Sequence, residues 1–136
     1  MNPVLWQPSA KRQEKANITR FMRLVREEYR VDVTEYSALY RWSIENPAAF
    51  WDLMWQFADI RAARKGEVVL INGNKMPGAK WFPDARLNYA ENLLTRRHKR
   101  HFDIIFHAEN GEIRRLSCRD LHRRVSQLSQ ALKNDG

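Results

Sequence analysis

The segment PAAFWDLMWQFAD, from Pro47 to Asp59, constrains the fold more than any other part of the chain. Asn46 followed by Pro47 is typical of a helix start, because proline lacks an N–H group that the first turn leaves unpaired anyway. Large apolar side chains then occupy most of the predicted helix circumference: Phe50, Trp51, Leu53, Met54, Trp55 and Phe57. A helix that is apolar nearly all round must be covered on more than one side. In 136 residues, the neighbouring helices can supply only part of that cover.

A long amphipathic helix is predicted near the start of the chain. Ser9 is a suitable N-cap for a helix from Ala10 to Tyr29. Its apolar residues recur at helical spacing and make one face: Ile18, Phe21, Met22, Val25 and Tyr29. Asn17 is a candidate interruption within the first turns.

A shorter helix is predicted between this one and the apolar segment. Asp32 or Thr34 can cap it, and it should extend from Glu35 to Glu45. Its apolar surface would come from Tyr36, Leu39, Tyr40 and Trp42.

The stretch MPGAKWFPDARLNYAENLL, from Met76 to Leu94, places two large rings on irregular backbone. Pro83 restricts the residue before it, so Phe82, which follows Trp81, should have an extended conformation. Asn88 can then cap a short helix that fades near residue 95. A segment of this kind packs against another surface. The core of this chain and the surface of another molecule are equally open as that surface.

Short β-segments complete the predicted elements. Val68–Ile71 is a β-run that ends at the turn dipeptide Asn72-Gly73, and its partner strand is left open. Residues 103–108 and 112–116 form a hairpin around Asn110-Gly111, which suits a type I′ turn. His107 on this hairpin is expected to be an ordinary strand residue.

The last helix is predicted from Cys118 to Lys133, with Gly136 near its C-terminal stop. Ser117 and Asp120 have the spacing of a capping box. One apolar stripe follows at helical spacing: Leu121, Val125, Leu128 and Leu132. A thiolate–imidazole pair of Cys118 and His122 is conceivable, but no third orienting group accompanies it, so we expect no catalytic role.

The chain has a formal net charge of +8, which favours anionic partners such as nucleic acid, membrane surfaces or phosphorylated small molecules. The basic residues are nevertheless spread along the chain, and only residues 96–101, RRHKRH, form a dense run. Without interleaved aromatic residues or a glycine loop, this run is predicted to be a solvated loop, with no nucleic-acid partner. His98 and His101 lack further ligands at metal-site spacing, so no metal site is predicted.

Cys118 is the only cysteine, which excludes an internal disulfide and suits a reducing compartment. The first residues lack the apolar run of a signal peptide, and no stretch approaches the roughly 20 apolar residues of a membrane span. We therefore expect a soluble, cytoplasmic protein without a membrane partner.

Several of these motifs resemble the adenylate-forming acyl-CoA synthetases. The run WFPDARLNYAENLL resembles the end of their N-terminal segment, and its YAENLL ending is most similar to the acetoacetyl-CoA branch. Asn17–Arg23, NITRFMR, and the pair Phe50-Trp51 also resemble this family. Asp84 departs from the pattern, since many relatives have glycine there. Cys118 likewise stands where the family has tyrosine.

The resemblance implies an α+β fold that is an incomplete piece of a larger α/β enzyme. Residues 1–95 would be the N-terminal helical region, and residues 96–136 the truncated start of the AMP-binding large domain. The whole enzyme would join acetoacetate to CoA with ATP and Mg²⁺, and the partner of this chain would be the missing catalytic domain. The five glycines are too far apart for a triphosphate-binding loop. We therefore predict no catalytic, cofactor-binding or metal residue in this chain, which alone should be inactive.

Alternatives remain open at this point. The acid could be acetate or propionate, or the chain could be a free-standing basic helical interaction module. It could also be an inactive remnant. Exposed aromatic surface would further favour self-association of the chain.

Overall fold

A computed structural model of the chain describes residues 5–97 and 103–136. Within these residues it contains six helices and two small antiparallel sheets, which confirms the α+β prediction. The chain forms two compact units. Unit 1 comprises Met1–Ile60 and Gly66–Asp84, and unit 2 comprises Arg61–Lys65 and Ala85–Gly136.

Unit 1 is built on four helices: α1 (Ala10–Glu14), α2 (Asn17–Tyr29), α3 (Tyr36–Glu45) and α4 (Pro47–Phe57). Their buried residues form one apolar cluster: Phe21, Val25, Val33, Leu39, Trp42 and Leu53. The Phe21 ring packs edge-on against Phe50 and Phe57, with centroids 5.5 and 5.1 Å apart. On α4 itself only Leu53 is fully buried, at 1% exposure. The partial cover that the sequence predicted for this helix is therefore observed.

The single long helix predicted from residue 10 to 29 is wrong, because the chain breaks between α1 and α2, whereas the candidate interruption at Asn17 is confirmed. Ser9 does cap α1, since its hydroxyl oxygen accepts a bond from the Arg12 N–H. Ala16 is extended, with ψ of 143°, and Asn17 begins α2. α1 buries none of its residues, whereas α2 buries Phe21 and Val25. No continuous apolar face therefore holds the first turns in line with α2.

The predicted caps of α3 are also wrong. Neither Asp32 nor Thr34 caps it; Glu35 is the residue at the N-cap position, without a side-chain capping bond. Val33, only 2% exposed, belongs to the core. The Val33 N–H donates to the Val31 carbonyl at 3.1 Å, and the helix begins after this anchored link, at Tyr36.

α4 begins at Pro47 as predicted, but it ends at Phe57 rather than Asp59. Asp59 has a φ of +50°, a left-handed conformation that a right-handed helix cannot continue through. Asn46 occupies the N-cap position, yet its amide donates to the Trp42 carbonyl of α3 at 3.2 Å instead of capping α4.

The β-run that lacked a predicted partner has one in unit 1. β1 (Leu70–Ile71) pairs antiparallel with β2 (Lys80–Trp81). The extended conformation predicted for Phe82 is wrong, because its φ is +42°. The Phe82 N–H donates to the Val69 carbonyl at 2.8 Å, and its ring lies 4.7 Å from that of Trp55. These two contacts offset the backbone strain.

Unit 2 contains α5 (Tyr89–Arg97), the strands β3 (Asp103–His107) and β4 (Ile113–Ser117), and α6 (Cys118–Asn134). Asn88 caps α5 as predicted, since its side-chain oxygen accepts from the Glu91 N–H at 3.2 Å. The helix continues two residues past the predicted end near Thr95.

One side chain on α5 attaches the segment 61–65 to unit 2. The buried amide of Asn92 accepts from the Arg61 N–H at 2.8 Å and donates to the Arg61 carbonyl at 2.7 Å. Nearby, Arg64 and Arg86 form an antiparallel bridge. The sequence pattern gave no indication of these contacts, because Asn92 lies within the predicted helix without a turn or cap signal.

The hairpin of β3 and β4 is confirmed, but its turn is not type I′. A type I′ turn needs positive φ at both central residues, and around this turn only Gly111 has one, at +83°. The Gly111 N–H donates to the Ala108 carbonyl at 3.0 Å, and the Ala108 N–H donates to the Glu112 carbonyl at 2.9 Å. The longer loop, with one left-handed glycine, matches a turn followed by a bulge.

Ser117 caps α6 as predicted, and the helix ends one residue beyond the prediction, at Asn134. The Asp120 N–H donates to the Ser117 hydroxyl oxygen at 3.1 Å, and that hydroxyl donates to the Asp120 carboxylate at 2.7 Å. The helix packs against β4 and α5 within unit 2.

Candidate docking surfaces

An aromatic hollow on unit 1 is formed by Trp51, Trp81 and Phe82 and has a volume of about 360 Å³. The Trp51 and Trp81 rings meet edge-on with centroids 6.0 Å apart. Both indoles remain more than 40% exposed. The two rings before Pro83 therefore lie against α4 of this chain and still present surface to solvent.

A second apolar groove of unit 1 lies among α2, α3 and α4, with a volume of about 330 Å³. Phe21, Phe50 and Met54 contribute to its lining, and Tyr36 and Tyr40 are largely exposed beside them. Apart from Asn17 and Ser43, the lining of this groove consists of aliphatic and aromatic side chains.

Tyr29 connects α2 to α4 at the border of the unit 1 core. Its hydroxyl donates to the Ala49 carbonyl at 3.3 Å, and its ring lies 5.0 Å from that of Trp42. Burial raises the pKa of Tyr29, and the carboxylates of Asp52 and Glu28 raise it further. The neutral phenol is thus the form that the folded unit favours.

In unit 2, the α6 stripe (Leu121, Val125, Leu128 and Leu132) is largely uncovered. Leu121 is half-buried, but Leu128 and Leu132 are 62% and 63% exposed. A shallow depression of about 550 Å³ follows the stripe, and Lys133 lies at its border. The surface is apolar along the helix axis and cationic at one end.

Both faces of the β3–β4 hairpin also carry exposed apolar side chains. Ile104 and Phe106 point to one face, and Ile105 and Ile113 point to the other. All four side chains are more than 40% exposed. Strands that are apolar on both faces are typical of sheets covered on both sides.

The two units differ in net charge. Unit 1 contains ten basic and ten acidic residues, whereas unit 2 contains fourteen basic and six acidic residues. The whole excess of +8 therefore lies in unit 2. The sequence alone does not show this difference in charge, because residues 61–65 belong to unit 2 although they lie between two parts of unit 1.

The described residues bring no group of three or more His, Cys, Asp or Glu side chains together for a metal ion. His98 and His101 lie outside the described residues. Cys118 is half-buried in the first turn of α6 and forms no disulfide, and His122 is one turn further on. His107 lies in β3 opposite Ile113. None of the helices in the described ranges has the length and apolarity needed to cross a bilayer.

The described residues contain five glycines, and no two of them are adjacent in the sequence. Gly66 and Gly78 have positive φ, but they belong to separate turns of unit 1. A phosphate cradle needs successive backbone N–H groups that converge on one anion. The prediction that this chain holds no ATP-, Mg²⁺- or CoA-binding residue stays a prediction.

Comparison with known proteins identifies relatives of one enzymatic class. Residues 36–93 match the family described as acetyl-coenzyme A synthetase N-terminus. The acetoacetyl-coenzyme A synthetase of Rhizobium meliloti (strain 1021) is 34% identical over 132 residues, which cover 97% of this chain and 20% of that protein. That of Danio rerio is 32% identical, with coverage of 98% and 20%. The chain thus spans about a fifth of the length of these relatives.

A solved structure has the same fold. The acetoacetyl-CoA synthetase from Streptomyces lividans matches with a TM-score of 0.85 and 34% identity, covering 99% of this chain and 21% of that one. A malonamoyl-CoA synthetase of Penicillium aethiopicum is 35% identical over 92 residues. Relatives of this region therefore occur in synthetases named for different acids.

Proposed function

Because this chain is related over almost its whole length to the N-terminal region of the acetoacetyl-CoA synthetases, we propose that it serves as that region of an ATP-dependent acetoacetate–CoA ligase. The whole ligase converts acetoacetate, ATP and CoA into acetoacetyl-CoA, AMP and diphosphate. The observation that carries the proposal is the agreement of sequence and fold across both units with proteins of this one name.

The role of this chain within the ligase is to support the catalytic part. It supplies no step of the chemistry, and ATP, Mg²⁺ and CoA bind to the remaining polypeptide. The chain packs onto that polypeptide through three exposed surfaces: the aromatic hollow, the apolar groove of unit 1 and the α6 stripe. Exposed apolar patches of this kind mark interaction sites in proteins. The ligase acts in the cytoplasm, where the single cysteine stays reduced.

The division of the chain into functional regions is part of the proposal. Residues 1–95 are the helical N-terminal region, and residues 96–136 begin the AMP-binding large domain. The family match, which ends at residue 93, supports a boundary close to 95. The compact units do not follow this boundary, since unit 2 takes residues 61–65 and begins its second part at Ala85.

The first test is the size and activity of the native polypeptide. An antibody against the chain should detect a band several times heavier than 16.2 kDa in source cells. The captured protein should then form AMP in the presence of acetoacetate, ATP and CoA, and acetate and propionate serve as competing acids. A native band at the size of this chain, or a captured protein without acid-dependent AMP formation, would contradict the proposal.

A second test replaces the matched N-terminal region of the Rhizobium meliloti synthetase with residues 1–136 of this chain. The chimera should retain acetoacetate-dependent AMP formation, whereas the synthetase without this region should lose it. A scrambled sequence of the same composition is the control. If chain and scrambled sequence restored activity equally, the supporting role would be refuted.

A further inference from the structure

We propose that Arg64 and Arg86, which we call the arginine pair, together bind a phosphate group of a small-molecule anion. The inference goes beyond the proposed function and does not depend on it. Three observations support it: the register of the pair, the anchoring of its backbone, and the lack of carboxylate partners in the part of the chain that the structure describes.

Backbone pairing places the two guanidinium groups on one face. Arg64 and Arg86 are direct partners in an isolated antiparallel bridge. The Arg86 N–H donates to the Arg64 carbonyl at 2.7 Å, and the Arg64 N–H donates to the Arg86 carbonyl at 3.3 Å. Partners that exchange both bonds lie about 5.5 Å apart at Cα, and their side chains leave the same face. Both arginines are exposed, so a ligand can reach this face from solvent.

The backbone that carries the pair is anchored on α5. The buried amide of Asn92 accepts from the Arg61 N–H and donates to the Arg61 carbonyl. The Ala63 N–H donates to the Arg86 carbonyl at 2.8 Å, beside the bonds of the bridge. Binding groups act more precisely when such contacts hold the residues that carry them. The spacing of the two arginines is therefore set without a ligand.

The pair has no carboxylate partner among residues 5–97 and 103–136. Neither guanidinium forms an ion pair or a hydrogen bond within these residues. The stretches of unit 2 that carry the pair, residues 61–65 and 85–88, contain no Asp or Glu. By contrast, the exposed guanidinium of Arg114 pairs with Glu112 at 2.7 Å. Like charges directly opposite each other on paired strands are destabilising, and a bound anion would remove this cost.

Two adjacent guanidinium groups favour phosphate over a carboxylate. One guanidinium satisfies both oxygens of a carboxylate through two parallel N–H···O bonds. A phosphate group has a further oxygen and a larger negative charge, so it can accept from the second guanidinium at the same time. Inorganic phosphate, diphosphate and a nucleoside monophosphate share this chemistry.

The experiment titrates the chain with inorganic phosphate, diphosphate and AMP at constant ionic strength, followed by isothermal titration calorimetry. Acetate is the control ligand, with a single carboxylate. Arg86→Gln removes one guanidinium of the pair, whereas Arg86→Lys keeps the charge and loses the planar array of donors. Arg124→Gln removes the same charge from another exposed position of unit 2 and is the matched control variant. Circular dichroism checks that each variant is folded.

The proposal predicts that diphosphate binds, that acetate binds at least about tenfold more weakly, and that Arg86→Gln weakens diphosphate binding at least about tenfold. Arg86→Lys should also weaken it, because an ammonium group cannot form the paired bonds. Arg124→Gln should bind as the wild-type chain does. Absence of binding to the wild-type chain, or equal affinities of the wild-type chain and Arg86→Gln, would overturn the proposal.

The three phosphate ligands also distinguish the source of the group. Binding of phosphate and diphosphate without AMP would support the proposal and assign the site to free anions. Binding of AMP as well would support it and extend the site to nucleotides. Acetate that binds as tightly as diphosphate would overturn the choice of phosphate.

Urea unfolding gives a second measurement that does not depend on the heat of binding. A ligand that binds only the folded chain stabilises it. Diphosphate should raise the urea midpoint of the wild-type chain and of Arg124→Gln above the midpoint in chloride at the same ionic strength, and should not do so for Arg64→Gln. Equal midpoints of the wild-type chain in the two salts would show charge screening alone and would refute the site.

These results separate the proposal from the proposed function. A chimera that is active as a ligase, together with a chain that binds no diphosphate, would refute the phosphate site and leave the proposed function intact. A chain that binds diphosphate through the arginine pair, together with an inactive chimera, would do the reverse.

Discussion

Replacing Gly66 by alanine tests the close contact between positions 66 and 84 in unit 1. A Cβ atom at this position would lie 2.7 Å from the Cβ of Asp84, a distance that real Cβ atoms do not tolerate. Gly66 also has a φ of +80°, and a left-handed conformation costs an alanine about 1–2 kcal/mol. Overpacking adds about 1–3 kcal/mol, whereas the stiffer unfolded chain returns about 0.4–1 kcal/mol. We expect Gly66→Ala to lower the free energy of unfolding by about 1–5 kcal/mol.

Two further variants separate the steric contact from the backbone strain. Gly111 has a φ of +83°, but no atom lies within 4 Å of its added Cβ, so Gly111→Ala introduces the strain alone. Asp84→Gly removes the clashing Cβ, and the remaining Asp84 atoms nearest the added Cβ lie at 3.6 Å. In the double variant, Asp84→Gly should therefore recover about 1–3 kcal/mol of the Gly66→Ala loss.

The assay is urea unfolding followed by far-ultraviolet circular dichroism, which reports on helices of both units. The decisive quantity is the coupling free energy between positions 66 and 84, obtained from the four members of the cycle. Additive effects, or equal losses for Gly66→Ala and Gly111→Ala, would show that the close approach carries no energetic cost and would refute the reasoning.

Three more perturbations test the core, the Asn92 contacts and the Tyr29 environment. Leu53→Ala should cost about 2–5 kcal/mol in urea unfolding, because it opens a cavity at a residue only 1% exposed; a loss below that of an exposed control, Leu132→Ala, would contradict this packing. Asn92→Ala should cost about 1–3 kcal/mol by leaving the Arg61 N–H and carbonyl without their side-chain partner, and faster hydrogen exchange at the Arg61 amide is its specific signature. Because the pKa of Tyr29 is raised in the folded unit, the unfolded chain loses that proton first, so stability should fall as the pH rises above about 10. Tyr29→Phe should reduce this alkaline loss, and an unchanged pH profile would refute the assignment.

Local signals predicted the elements of this chain better than their ends. Ser9, Asn88 and Ser117 each cap a helix as expected, because a cap depends on a few adjacent atoms. The interruption at Asn17 was foreseen only as a candidate, and the caps of α3 were predicted wrongly, since burial of residues distant in sequence influences both. Tertiary packing overrides a local cap preference when the two compete.

The candidate surfaces show the same limit. The stripe on α6 was read directly from its spacing, whereas its exposure needed the structure. The positive φ of Phe82 opposed the expectation from Pro83, because a hydrogen bond to Val69 and a ring contact with Trp55 determine that backbone. The charge separation could not be predicted, because it depends on which unit each segment joins.

The alternation of the chain between its two units limits how such a region can be exchanged between genes. Unit 2 holds Arg61–Lys65 through Asn92 and the bridge to Arg86, while Gly66–Asp84 returns to unit 1. A recombination breakpoint anywhere from residue 61 to 84 would join segments from two different genes that contact each other in the fold. The side chains at these contacts would then not have evolved together. Inheritance of the region as one block is the arrangement that such an interleaved chain favours.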